Sequence, residues 1–269
     1  MLQKRFVDGD GWLHVFSRRK PQGEVFRGRP ENLFLKRDLY ATLEASGERR
    51  TRMETDLSKI ESAADRVIQQ LVDAAHSPRL PNMSGLDLEA WFLFFYMQWR
   101  RVPDLHLEIN TDDEADEMMS EIIEQAMIEF PHRTSDLDRL TEPGEKRRMI
   151  KNARVDSLRQ ISPFVMGALR SRGIAIAKSE RLDKQFIIGS RPVVKLTHPG
   201  KTDIRHPECE MWFPISSDVM VGLGRGRRTV SKMSVGPDHV RYINQCIAKQ
   251  STMFASASPK LTASLAQAR

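Results

Sequence analysis

Leu88-Glu89-Ala90-Trp91-Phe92-Leu93-Phe94-Phe95-Tyr96-Met97-Gln98-Trp99-Arg100-Arg101 is apolar on nearly every helical face. Six of the chain's nineteen aromatic residues fall between positions 91 and 99. A helix that is apolar all round belongs inside a protein, and this one is too short to span a bilayer. The stretch is predicted to be the central buried helix, with core packing weighed against a cradle for a cofactor or lipid. Arg100 and Arg101 complement the negative end of its dipole, and Pro103 helps to stop it.

Helices are expected on both sides. Met53, Leu57, Ile60, Ala64, Val67 and Leu71 repeat at alternating spacings of four and three, the seam of a packed helix over 51–75. The seam has too few heptads for a dimeric coiled coil. Residues 76–85 read as a linker. Thr111-Asp112-Asp113-Glu114 reads as a capping box opening a helix striped by Met118, Ile122, Ile123 and Phe130. Thr141-Glu142-Pro143 opens another, running to about Ser171 with a break at Ser162-Pro163.

The two ends read as strands. Residues 4–29 suggest a hairpin, with Trp12 to Phe16 returning at Val25-Phe26 after Lys20-Pro21-Gln22-Gly23. After Gly173 the apolar period changes from helical to strand-like. Ile174 to Ala177, Phe186 to Ile188, Val193 to Leu196, Met211 to Ser216 and Val219 to Leu223 suggest a small antiparallel sheet. Pro237-Asp238 opens a last helix. Residues 251–269, rich in Ser, Ala and Thr, read as a flexible tail. The expected fold is α+β: a mainly helical middle, an N-terminal hairpin and a C-terminal antiparallel sheet in one domain over 1–250.

The 269 residues carry 42 Lys+Arg and 36 Asp+Glu, a formal net charge of +6. Their distribution is uneven. Residues 102–132 hold ten acids and no Lys or Arg, residues 133–172 are net +5, and residues 173–269 are net +8. An acidic helix paired with basic partners inside the fold is the simpler reading, an external cationic partner the sharper one. Two cysteines, Cys209 and Cys246, make neither a disulfide framework nor a four-thiolate zinc site, and a reducing, cytoplasmic setting is expected. No apolar run reaches the length of a membrane span.

Familiar chemistries are absent by motif. Gly222-Leu223-Gly224-Arg225-Gly226 lacks the spacing and the following helix of a phosphate-binding loop. His206-Pro207-Glu208-Cys209 matches half of a zinc deaminase signature, but the second cysteine pair is missing. Asp8-Gly9-Asp10-Gly11 lacks the later ligands of a calcium loop. No cofactor or metal site is indicated.

The order of landmarks resembles a bacterial family catalogued as domain of unknown function 4238. The residues that carry this are Lys4-Arg5-Phe6-Val7-Asp8, Gly11 to Val15, Leu39-Tyr40, Glu54…Leu57…Ile60-Glu61 and Gln98 to Pro103. Ile188 to Val193, Phe213 to Ser216 and Tyr242-Ile243-Asn244 complete the series. The resemblance implies no activity. Relatives usually open with a His-x-x-Pro-Gln segment that is missing here, so either the true start is expected upstream of Met1, which requires in-frame His and Pro codons there, or the protein is truncated. Relatives carry Gly-Asp-x-Pro where this chain has Gly189-Ser190-Arg191-Pro192. If that Asp is structural, Ser190 is expected to cap the same turn.

Two classes of function stay open. One is a module binding nucleic acid or an acidic partner, through Lys146, Arg147, Arg148, Lys151 and Arg154, or through Arg225, Arg227 and Arg228 with Lys232 beyond them. The other is a hydrolase or nuclease with a site between the N- and C-terminal elements. Its candidates are His14, Glu54, Glu61, Arg100, Arg101, Asp203 and His206, and a structural ion pair is the alternative for the glutamates and arginines.

Overall fold

The computed structural model describes residues 2–20, 24–34, 40–100, 112–197 and 201–268. The chain divides into two compact units where the sequence reading expected one domain. The first holds Met1–Leu35, Ile60–Val102 and Ser162–Arg269, the second Lys36–Lys59 and Pro103–Ile161. The division falls inside α1 (Arg52–His76).

The seam read on α1 is buried except at Ile60, which is half-buried: Met53, Leu57, Ala64, Val67 and Leu71 are each 5% exposed or less. The aromatic stretch is α2 (Gly85–Arg100), and Trp91, Phe95 and Tyr96 are fully buried. Its start is capped reciprocally. The Ser84 hydroxyl donates to Asp87 Oδ2 at 2.7 Å, and the Asp87 N–H donates to Ser84 Oγ at 3.1 Å, which satisfies donors at the helix N-terminus. The Ser84 hydroxyl and N–H, with the Arg66 guanidinium beyond them, hold the Asp87 carboxyl below its usual range. The Tyr96 hydroxyl accepts from Arg100 at 2.8 Å and from the Ser162 N–H at 3.0 Å. It thereby joins α2 to the start of a later helix, Pro163–Arg170.

α2 packs against a five-stranded sheet in the same unit. Its strands, in chain order, are β5 (Gly173–Ser179), β7 (Val194–Leu196), β8 (Glu210–Pro214), β9 (Val219–Gly224) and β10 (Val230–Val235). Across the sheet the order is β10-β5-β9-β8-β7. Phe213 meets the rings of Trp91, Phe94 and Phe95 at centroid distances of 6.3, 5.8 and 6.2 Å. Alternate residues of the same strands, Ala175, Ala177, Trp212 and Met220, enter a second core on the opposite face. β5 is thus buried on both sides, with isoleucine toward one face and alanine toward the other.

The second core is closed by a four-stranded antiparallel sheet of order β2-β1-β11-β6. It comprises β1 (Leu13–Ser17), β2 (Phe26–Gly28), β6 (Ile188–Gly189) and β11 (Met253–Ser256). The helix opened by Pro237 (Pro237–Gln250) adds Val240, Ile243 and Ile247 to this core. Both strands of the expected N-terminal hairpin are present; its turn at 21–23 lies outside the described residues.

Three expectations need correcting. The C-terminal sheet is mixed, because β10 runs parallel to β5. Ile188 belongs to the other sheet. Residues 251–269 do not read out as a loose tail: Met253–Ser256 is an inner strand, paired with β1 and β6, and Pro259–Gln267 is helical. Phe254 is buried against Phe16, with ring centroids 5.2 Å apart. Ser256 is fully buried, with its hydroxyl 2.9 Å from Thr262 Oγ1.

In the second unit, β3 (Thr42–Leu43) pairs with β4 (Arg49–Arg50), beside α3 (Asp112–Glu129), α4 (Thr134–Leu140) and α5 (Pro143–Arg159). The Asn152 amide clasps β3, accepting from Leu43 N–H at 2.8 Å and donating to Leu43 O at 2.7 Å. The capping box at Thr111 and the Pro103 stop lie outside the described residues, as does Leu39.

Gly222 lies opposite Trp212 on β8, and the indole occupies the space a side chain would need. A Cβ there would sit 2.4 Å from Met211 O and 2.5 Å from Trp212 Cε3. Gly222→Ala is expected to cost about 1–3 kcal/mol in urea unfolding. Gly144→Ala, where nothing lies within 4 Å, should leave stability unchanged or slightly raised.

Candidate functional site

Consecutive strands β9 and β10 are not neighbours, since β5 lies between them. The connection 225–229 must therefore cross the start of β5. Ile174 N–H donates to Thr229 O at 2.8 Å, and the Thr229 hydroxyl donates to Arg225 O at 2.6 Å and Gly226 O at 3.0 Å. Only a glycine fits beneath. A Cβ on Gly173 would lie 2.4 Å from Thr229 O and 2.6 Å from Gly226 O. The closure is tight enough to hold Gly226 at φ +83° and Arg228 at φ +57°, and the left-handed region is costly for a side-chain-bearing residue.

Arg172, immediately before β5, is 7% exposed and makes no salt bridge among the described residues. Its guanidinium donates to four carbonyls: Gly224 O at 3.0 Å, His206 O at 3.1 Å, Ile204 O at 3.3 Å and Cys209 O at 3.4 Å. One side chain thus ties the end of β9 to the loop 201–209. Burial lowers the pKa of Arg172; Cys209 and Glu210 oppose that and Arg225 adds to it. An arginine stays charged all the same. Burial also pushes the Cys209 thiol up, which makes it a poor nucleophile.

The exposed charges around this anchor differ in their partners. Lys201 pairs with Glu208, and Lys195 Nζ donates to Thr202 O at 2.6 Å. Arg205 grips Asp203 through Nε and a terminal nitrogen and lies over the Phe164 ring, 4.5 Å from its centroid. Arg225, Arg227 and Arg228 are exposed and make no ion pair among the described residues. The N–H groups of Gly226, Arg227 and Arg228 donate to no acceptor there either. Lys232, grouped with this loop by sequence, is engaged elsewhere. Its ammonium caps the end of α1 at Ala74 O, Ser77 O and Arg79 O.

The other basic run is largely internal to its unit. Lys146 pairs with Asp116 on α3 at 2.6 Å and reaches Ser120, so an acidic helix does meet basic partners within the fold. Arg148 bonds Glu145 and Leu43 O. Arg154 is half-buried and has contacts of its own, Lys151 is half-buried, and Arg147 is exposed.

The residues proposed for catalysis sit in separate surroundings. Glu54 and Glu61 are exposed on α1. Arg100 is bonded to Tyr96, and Arg101 lies outside the described residues. His206 Nδ1 accepts from the Glu208 N–H at 3.2 Å. His14 Nε2 is 3.4 Å from Asp8 Oδ2. His14 faces Ser256 in register, but the Ser256 hydroxyl donates to Ser258 O at 2.8 Å, so the pair is not a nucleophile and its base. No group of three His, Cys, Asp or Glu among the described residues is placed to hold a metal ion. No described helix is long and apolar enough to cross a membrane.

A family model described as a protein of unknown function, DUF4238, matches residues 2–260. The chain belongs to that family, as the resemblance of its landmarks implied. No curated protein and no solved structure matches it. At the position where the family's Asp was expected, Ser190 Oγ accepts from the N–H groups of Thr252 at 3.1 Å and Met253 at 3.3 Å. These bonds tie the 189–192 turn to the start of β11, a longer-range role than the local cap expected of Ser190. Arg172, Phe164 and Arg205 were not singled out from sequence; the basic loop was, as were Asp203 and His206, though for catalysis.

Arg172→Met should cost about 2 kcal/mol or more in urea unfolding, because buried carbonyls lose their donor. Amide exchange should rise at both 204–209 and 225–229; exchange rising at neither would mean that Arg172 does not anchor the loops. Asp203 offers a pH test. The Arg205 side chain, then its N–H, lowers the carboxyl from 3.8 to about 2. This pair stabilises the fold above the unfolded-state value of 3.8 and is lost as pH falls toward 2. An NMR titration should show the low midpoint, and Arg205→Gln should move it upward.

Proposed function

We propose that this protein binds a polyanion, with nucleic acid the best-fitting class, through the Arg225–Thr229 crossover. One observation carries the reading. Arg225, Arg227 and Arg228 stand without acidic partners among the described residues, on a loop whose N–H groups also face no acceptor there. Neighbouring cations of the first unit, Lys195, Lys201 and Arg205, are engaged, as are Lys146 and Arg148 in the second. A fixed backbone carrying unneutralised arginines supplies both the charge and the donors that phosphate oxygens accept. The net charge of +6 supports the same direction, by raising the local concentration of anionic partners.

The test is fluorescence anisotropy of the full chain with labelled single-stranded RNA and duplex DNA, from low to high salt. Binding should weaken steeply with salt. The Arg227→Glu/Arg228→Glu double variant should flatten the slope of log affinity against log salt by about 1.4 for a single strand or 1.8 for a duplex. Arg147→Glu/Lys151→Glu should change it little. The opposite ranking would move the surface to α5, and no binding at low salt would overturn the proposal.

A further inference from the structure

Beside the arginine crossover is a feature that the charge reading does not use. Phe164 opens the helix Pro163–Arg170 and is 57% exposed. The Arg205 guanidinium lies over its ring at 4.5 Å and is held there by Asp203, whose carboxyl accepts from Arg205 Nε at 3.0 and 3.1 Å. A flexible arginine is thereby fixed as a flat cationic plane on an aromatic one. With its carboxyl lowered to about 2, Asp203 stays ionised at neutral pH. The position relative to the crossover is set by Arg172. Its guanidinium holds Ile204 O, one residue before Arg205, and Gly224 O, one residue before Arg225. The backbone leading into the ring-bound arginine and the backbone leading into the crossover are therefore held by one side chain.

We infer that the Phe164 ring with its stacked Arg205 guanidinium is a seat for an unpaired nucleobase, and that the backbone of the same strand lies on the Arg225–Arg228 crossover. This rests on the polyanion reading above and narrows it to single-stranded nucleic acid. The bases of a duplex are stacked on one another and present no face to a ring. A single strand offers a π-face at every base, and aromatic or arginine planes beside a basic track are how proteins hold it without reading sequence.

The experiment uses the full chain and three labelled probes of equal length: an oligothymidylate, an abasic deoxyribose-phosphate oligomer and a DNA duplex. The oligothymidylate should bind more tightly than the abasic strand at equal salt. Phe164→Ala should weaken it about five- to a hundredfold, the loss expected for one stacked base, while leaving the abasic strand unchanged. Phe164→Trp, which keeps a stacking face, should retain binding. Thermal melting of each variant checks folding, which an exposed ring should hardly disturb. If Phe164→Ala leaves oligothymidylate binding intact, or weakens both strands equally, the base seat is overturned. Duplex binding as tight as the single strand overturns it too. In those cases the polyanion reading stands as long as Arg227→Glu/Arg228→Glu still weakens binding. If no probe binds, both fall together.

Discussion

A strand buried on both faces must also be paired on both edges, because no water reaches its backbone groups. β5 meets that constraint with β9 on one side and β10 on the other. Since β9 and β10 follow each other in the chain, filling both edges forces a connection over the end of β5. The crossover accounts for the glycine at 173, the left-handed arginine at 228 and the short threonine closure between them. It also brings the end of β9 within reach of Arg172. The candidate site is thus a by-product of how one strand is covered.

The arrangement of charge follows from the same geometry. In the second unit, acid and base lie on facing helices and neutralise each other, as Lys146 and Asp116 do. The crossover, Arg-Gly-Arg-Arg-Thr over 225–229, carries no carboxylate of its own. A buried guanidinium held by four carbonyls and no acid adds positive charge beneath it. Desolvating such a charge is unfavourable unless each donor is matched, and here two otherwise separate loops supply the match.

Sequence period made the helices legible: the α1 seam and the aromatic α2 are buried where their spacing placed them. The β5 alternation of isoleucine and alanine was equally plain. What escaped had no local signature. β10 reads Val-Ser-Lys-Met-Ser-Val, a partly exposed edge strand with little apolar content, and its parallel pairing depends on residues far upstream. Met253–Ser256 looked like tail because its two large apolar residues are too few to show a period and Ser and Ala dominate the residues around it. At the site, the basic loop could be read from composition, yet nothing in Ser171-Arg172-Gly173 announces a buried arginine. Its partners at 204, 206, 209 and 224 are joined only by the fold. Sequence grouped Lys232 with the loop because it is near in number; the structure sends it to the end of a helix.

The pairing of β1 with β11 has a bearing on how the molecule is made. Residues 13–17 leave the ribosome about 240 residues before their partners at 253–256. At roughly 5–20 residues per second, that inner edge waits for some tens of seconds. Until then the hairpin of β1 and β2 has Leu13, Val15 and Phe16 with only part of their eventual cover, and an open hydrogen-bonding edge beside them. The sheet is completed last by its most distant segment, so a nascent chain stays open to wrong pairing for the whole interval between the two.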